Sequence, residues 1–173
     1  VDDWLFMVFG RYRVFLYKLL QVADLPVVVL AIVLVAALLR GRPDIAALAA
    51  IGPGAAIGLT EGVLKPLVNR RYNFFLSYPS GHTVGTVSAA AVLGVLLLGA
   101  AGLTLALRVA LGVLLLALCG TVVLALIVDD FHYFTDTVAG TFLSVGVVVL
   151  AALVVDMVTG SVTRRPVGAS AQP

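Results

Sequence analysis

The chain has 173 residues, 62% of them hydrophobic and only 12% charged, with a formal net charge of +2. A soluble domain is about half apolar and about a quarter charged, so this composition excludes an ordinary water-soluble fold. The net charge is too small and too dispersed to imply a nucleic-acid partner, and the single cysteine, Cys119, can form no intrachain disulfide.

Residues 1–20 carry Trp4, Phe6, Phe9, Tyr12, Phe15 and Tyr17, interrupted by Arg11, Arg13 and Lys18. Those cations argue against a membrane span and predict an interfacial helix lying on the bilayer. A span needs about 20 apolar residues. Five spans are predicted, over residues 25–39, 44–65, 82–100, 103–128 and 132–158. The second contains Gly52-Pro53-Gly54, which should kink it or admit a close neighbour. A polar connector, 66–80, holds Tyr72, Phe74, Phe75 and Tyr78, read as an interfacial belt or as the lining of a lipid entrance. Asp129 and Asp130 read as a solvated helix end. Residues 1–160 form a single membrane-embedded domain, and 161–173 are expected to be a mobile cytoplasmic tail.

Alternating the spans places Lys65, Arg70, His82, His132 and Asp136 on one side. Arg40, Arg42, Arg108, Arg164 and Arg165 fall on or near the other. The arginine-only side is assigned to the cytoplasm, which puts the histidines on the extracytoplasmic face of the plasma membrane.

Ionisable groups are costly near a bilayer and persist there for function or pairing. Three segments concentrate them: Lys65-Pro66-Leu67-Val68-Asn69-Arg70-Arg71, Pro79-Ser80-Gly81-His82, and His132-Tyr133-Phe134-Thr135-Asp136. Metal-free phosphoester cleavage needs a nucleophile, an acid for the leaving oxygen, a clamp for the phosphoryl oxygens and donors where charge develops. On a helix, His132 and Asp136 would share a face, so the carboxylate could orient the imidazole. Ser80 and Gly81 precede a helix whose free N–H groups favour phosphate. Lys65 with Arg70 or Arg71 would supply fixed positive charge. Glu61, four residues before Lys65, reads first as an intrahelical ion pair and second as a site residue.

In order and spacing, the three segments resemble the type 2 phosphatidic acid phosphatase superfamily, over roughly residues 2–158. The resemblance implies an all-α polytopic membrane bundle with a six-helix phosphatase core. Five of its helices would be visible here, beside the N-terminal interfacial helix, and the first would lie before Val1. It also implies that His132 attacks phosphorus and carries a phosphohistidine, that Asp136 orients it and that His82 protonates the leaving group. Lys65, Arg70, Ser80 and the Gly81 backbone would bind phosphate. No cofactor and no metal is expected; the partners would be a lipid phosphate substrate and membrane lipids.

The sequence departs from the family pattern twice. Tyr72 stands where an arginine usually follows the lysine by seven residues, and Asn73 stands where proline follows. Leu124 and Ala125 replace the Ser-Arg pair usually found ahead of the second histidine. Three further readings follow. The phosphohistidine could pass its group to a lipid or sugar hydroxyl. A degenerate member could bind a lipid head group without turnover. His132, Asp136 and His82 could hold a metal, for which a fourth ligand is wanting.

Overall fold

The computed structural model describes residues 1–20, 24–72, 74–100 and 102–160. The expected tail with Arg164 and Arg165 lies outside the described residues, as does Asn73. The elements in order are α1 (Asp2–Phe9), a 3₁₀ turn (Gly10–Tyr12), α2 (Arg13–Leu20), α3 (Leu25–Leu39), α4 (Pro43–Leu59), a π-helical turn (Thr60–Leu64), α5 (Lys65–Val68), β1 (Arg71–Tyr72), β2 (Phe75–Leu76), α6 (Gly81–Gly99), α7 (Leu105–Val128) and α8 (Phe134–Thr159).

Among the described residues, four helices are long and apolar enough to cross a membrane: Pro43–Val68, Gly81–Gly99, Leu105–Val128 and Phe134–Thr159. The first runs unbroken from α4 through the π turn into α5, and it continues through Pro53. The remaining expected span, α3, has 15 residues. At 1.5 Å per residue that is about 22 Å, short of the roughly 30 Å hydrocarbon layer.

The bundle hides its small and polar side chains and turns its large apolar ones outward, as lipid solvent requires. Leu30, Leu48, Ala49, Ala89, Val92, Val148, Ala151 and Val155 form the main core, drawn from α3, α4, α6 and α8. Thr83, Thr86, Ser88, Thr137 and Ser144 are buried, whereas Leu116, Phe142, Leu150 and Met157 are exposed. Gly52 serves close approach: a Cβ there would lie 3.1 Å from Val92 Cγ2 and 3.4 Å from Val148 Cγ2.

α7 sits at the edge, packed on α6 and clasped near its end by α1 and α2. Leu16 packs on Ala125 and Val128. The N-terminal helices thus lie across the histidine end of α7, with Trp4, Phe6, Met7, Phe15 and Tyr17 exposed.

A close backbone contact joins the starts of α6 and α8. A Cβ on Gly140 would lie 3.1 Å from the Ser80 carbonyl oxygen and 3.2 Å from Thr83 Cβ. Backbone cannot yield as a flexible side chain can. Gly140→Val is therefore expected to lower stability by about 1–3 kcal/mol through overpacking and to displace the Ser80 turn. Thermal unfolding of the purified protein in detergent would show the loss; an unchanged midpoint would contradict this packing.

Candidate active site

The site is assembled from helix ends. Asn69 ends the Pro43–Val68 helix in the left-handed conformation, and its N–H donates to the Lys65 carbonyl. The chain then turns through the short β1–β2 hairpin, where Arg71 pairs with Leu76 and Tyr72 with Phe75. Ser80 caps α6: its Oγ accepts from the Thr83 N–H at 3.3 Å and from Thr83 Oγ1 at 3.1 Å. Its own N–H donates to the Asp136 carbonyl at 3.0 Å. That bond ties the two histidine-bearing segments together.

His132 is not helical, which corrects the shared-face expectation. It sits in the loop before α8, and Tyr133 is the helix cap. Asp136, in the first turn of α8, reaches back: its Oδ2 accepts from the Tyr133 N–H at 3.3 Å. This capping geometry brings the carboxylate near the ring. His132 Nδ1 lies 3.7 Å from Asp136 Oδ2, an ion-pair distance longer than a hydrogen bond. Asp136 is fully buried and His132 nearly so.

A cavity of about 460 Å³ opens between these ends. Glu61, Lys65, Gly81, His82, Thr86 and His132 line it, together with Asp24 and the apolar Val27, Phe75, Leu76 and Phe131. Of the residues singled out from the sequence, Lys65, Gly81, His82, His132 and Glu61 meet here. Asp136 stands behind His132. Ser80 is buried, with its hydroxyl engaged in the cap.

Arg70 is not among the lining residues. Its Nη1 donates to Thr135 Oγ1 at 2.8 Å and lies 3.1 Å from Asp136 Oδ1, while its guanidinium stacks 4.7 Å over the Tyr133 ring. Arg71 points outward from β1, exposed. Among the described residues, no three His, Cys, Asp or Glu side chains converge as a metal would need.

Of the two carboxylates after α7, Asp130 is exposed as expected and Asp129 is not. Asp129 is buried rather than solvated: Arg13 donates to its Oδ1 at 3.2 Å and to its carbonyl at 3.3 Å. Asp130, in the left-handed conformation, accepts a short hydrogen bond from the Tyr72 hydroxyl. That bond pushes the Tyr72 phenol up to about 12. Tyr72 also packs edge-on against Tyr133 at 4.7 Å. Sequence reasoning missed Thr86, although it lies one helical turn beyond His82, a spacing that could have found it. It also missed Thr135, for which no sequence signal exists.

An all-helical membrane bundle whose polar ends enclose two histidines, a lysine and a helix N-terminus defines a class: membrane proteins built to handle an anionic ester. The chain belongs to the PAP2 superfamily, whose family model matches residues 4–159. Membership supports phosphoester hydrolysis as its general activity. No curated protein and no solved structure matches the chain.

Burial is the main cause holding the His132 imidazole below the ordinary histidine value. Asp136 pulls it back up, and the neighbouring charges of His82 and Lys65 push it down. Desolvation disfavours the imidazolium, so the ring is neutral at neutral pH and takes a proton only in more acid solution than about pH 6.5. Histidine-labelled NMR, assigned by the signal lost in His132→Ala, should place its midpoint below that value. Asp136→Asn removes the carboxylate that raises it and should move the midpoint lower still. An upward shift in that variant would contradict the assignment.

Proposed function

We propose that the protein hydrolyses a lipid phosphate or polyprenyl diphosphate at the extracytoplasmic face of the plasma membrane, through a phosphohistidine on His132 and without metal. One observation carries the reading: His132, His82, Lys65 and Gly81 line one cavity at the end of a membrane bundle, with a buried carboxylate behind His132.

In the first step the His132 Nε2 lone pair attacks phosphorus and the bond to the leaving oxygen breaks. His82, as imidazolium, donates its proton to that oxygen, so the lipid departs as a neutral alcohol or as a lipid phosphate with one group fewer. Charge on the phosphoryl oxygens is met by the Lys65 ammonium and the N–H groups at the start of α6. Asp136 stabilises the positive ring that results. In the second step water attacks phosphorus, His82 takes its proton, and the P–N bond breaks to release inorganic phosphate. The neutral resting state of His132 suits attack. Val27, Phe75, Leu76 and Phe131 supply an apolar wall for the adjoining part of the lipid.

A second reading, a head-group binder without turnover, draws on two observations. Ala125, where the family usually has arginine, is fully buried against Leu16. Arg70 is engaged with Asp136 and Thr135.

Phosphate release from a panel of purified lipid phosphates separates the two. The hydrolase reading expects release by wild type. His82→Ala should fall by about 10²–10⁴-fold, as for loss of a general acid, and His132→Ala should fall to background, with both variants still monodisperse. Lipid binding with no release would favour the second reading. Transfer of phosphate to an added alcohol would point to a phosphotransferase, and activity lost to chelator and restored by zinc would point to a metal.

A further inference from the structure

We infer that Glu61 is a resident counter-anion of the cavity, setting the charge a ligand must carry to reach Lys65; this rests on reading the cavity as a phosphoryl site. Glu61 lies in the π-helical turn one turn before Lys65. Its Oε1 is 2.7 Å from Lys65 Nζ. The same oxygen fills the space above Gly81: a Cβ there would lie 2.7 Å from Glu61 Oε1 and 3.5 Å from Lys65 Nζ.

An ordinary pair four residues apart stays on its own helix surface. Here one carboxylate oxygen reaches across to the first residue of α6 and bridges the two features that favour phosphate, the ammonium and a helix start. The Lys65 side chain is 16% exposed and that of Glu61 is 51% exposed. The cation is therefore tucked in, while the carboxylate sits on the open side, where a change of rotamer can move it out.

A phosphoryl group that reaches Lys65 must displace this carboxylate. Being tethered, Glu61 competes at high effective concentration. A phosphodiester head group carries one negative charge, so it replaces one monoanion with another and gains no Coulomb energy to offset the tether. A terminal phosphate carries nearly two charges and attracts the ammonium more strongly. Glu61 therefore keeps the phosphodiester lipids of the surrounding bilayer off Lys65 and admits terminal phosphates. Discrimination comes from raising the threshold for the wrong ligand.

The test is calorimetric and needs no turnover. The full chain, purified in a phosphate-free maltoside detergent at about pH 8, where phosphate is mostly a dianion, is titrated with inorganic phosphate and with dimethyl phosphate. Wild type, Glu61→Gln, Glu61→Ala and Lys65→Ala are compared. Glu61→Gln should bind both ions about tenfold tighter, equivalent to removing one competing ion pair, with dimethyl phosphate becoming measurable where wild type shows none. Glu61→Ala should do the same, so either variant suffices if the other fails to fold. A merely structural Glu61 would give weaker binding instead. Phosphate affinity that is unchanged or reduced in the Glu61 variants, but lost in Lys65→Ala, overturns this inference and leaves the phosphoryl site standing. Binding indifferent to Lys65→Ala, or absent throughout, overturns both.

Discussion

Everything at the candidate site depends on how closely the start of α6 can approach the start of α8. The Ser80 N–H donates to the Asp136 carbonyl, and Ser144 Oγ donates to the Val84 carbonyl at 3.2 Å. Gly140 leaves the space that makes this approach possible. Buried backbone polar groups must find partners within the protein, so these bonds fix the relative depth of the two helices as well as their distance. His82 follows Ser80 by two residues and His132 precedes Asp136 by four, so one backbone bond anchors both histidines to the same cavity.

The loop that carries His132 is held from its other side by the N-terminal helices. Asp2 accepts from the Phe134 N–H at 3.0 Å, just after His132, and Arg13 grips Asp129 just before it. Leu16 covers Ala125. Arginine at position 125 would meet this packed contact, so the departure from the family pattern and the clasp by α2 are one structural choice. In this chain the position serves to dock a helix. Arg13 has its guanidinium on Asp129 and so supplies no substitute cation for position 125.

The fold was largely legible because lipid solvent imposes a simple rule: long apolar runs become helices, and the charges between them mark the ends. The convergence of Lys65, Gly81, His82 and His132 was legible too, since alternating spans bring those ends to one side. What escaped depends on contacts between residues far apart in the chain. Arg13 and Asp129 are separated by 116 positions, and no local pattern joins them. The same holds for Arg70 with Thr135 and for Tyr72 with Asp130. His132 shows a subtler limit. Its spacing to Asp136 suggested a shared helix face, yet the proximity comes from a carboxylate reaching back to cap the helix. The right neighbour was found by the wrong geometry. α3 was read as a span from its composition, although its 15 residues, with the same bounds in sequence and in fold, set it apart from the other four.

The resting electrostatics of the site follow from the cost of isolated charge near a bilayer. An anion pocket wants cations, but a cation with no partner in a poorly hydrated cavity is expensive. The chain meets that conflict by giving cations around the site a carboxylate: Lys65 has Glu61, Arg70 has Asp136 and Arg13 has Asp129. His132 meets it by shedding its proton under burial. These partners are not equivalent. Asp136 and Asp129 are buried and held by further backbone contacts, so breaking their pairs would strand a charge. Glu61 alone of the three is half-exposed, and it can return to water at little cost. Of the paired cations near the cavity, Lys65 is thus the one that can exchange its partner for an incoming phosphoryl group without dismantling the fold around it.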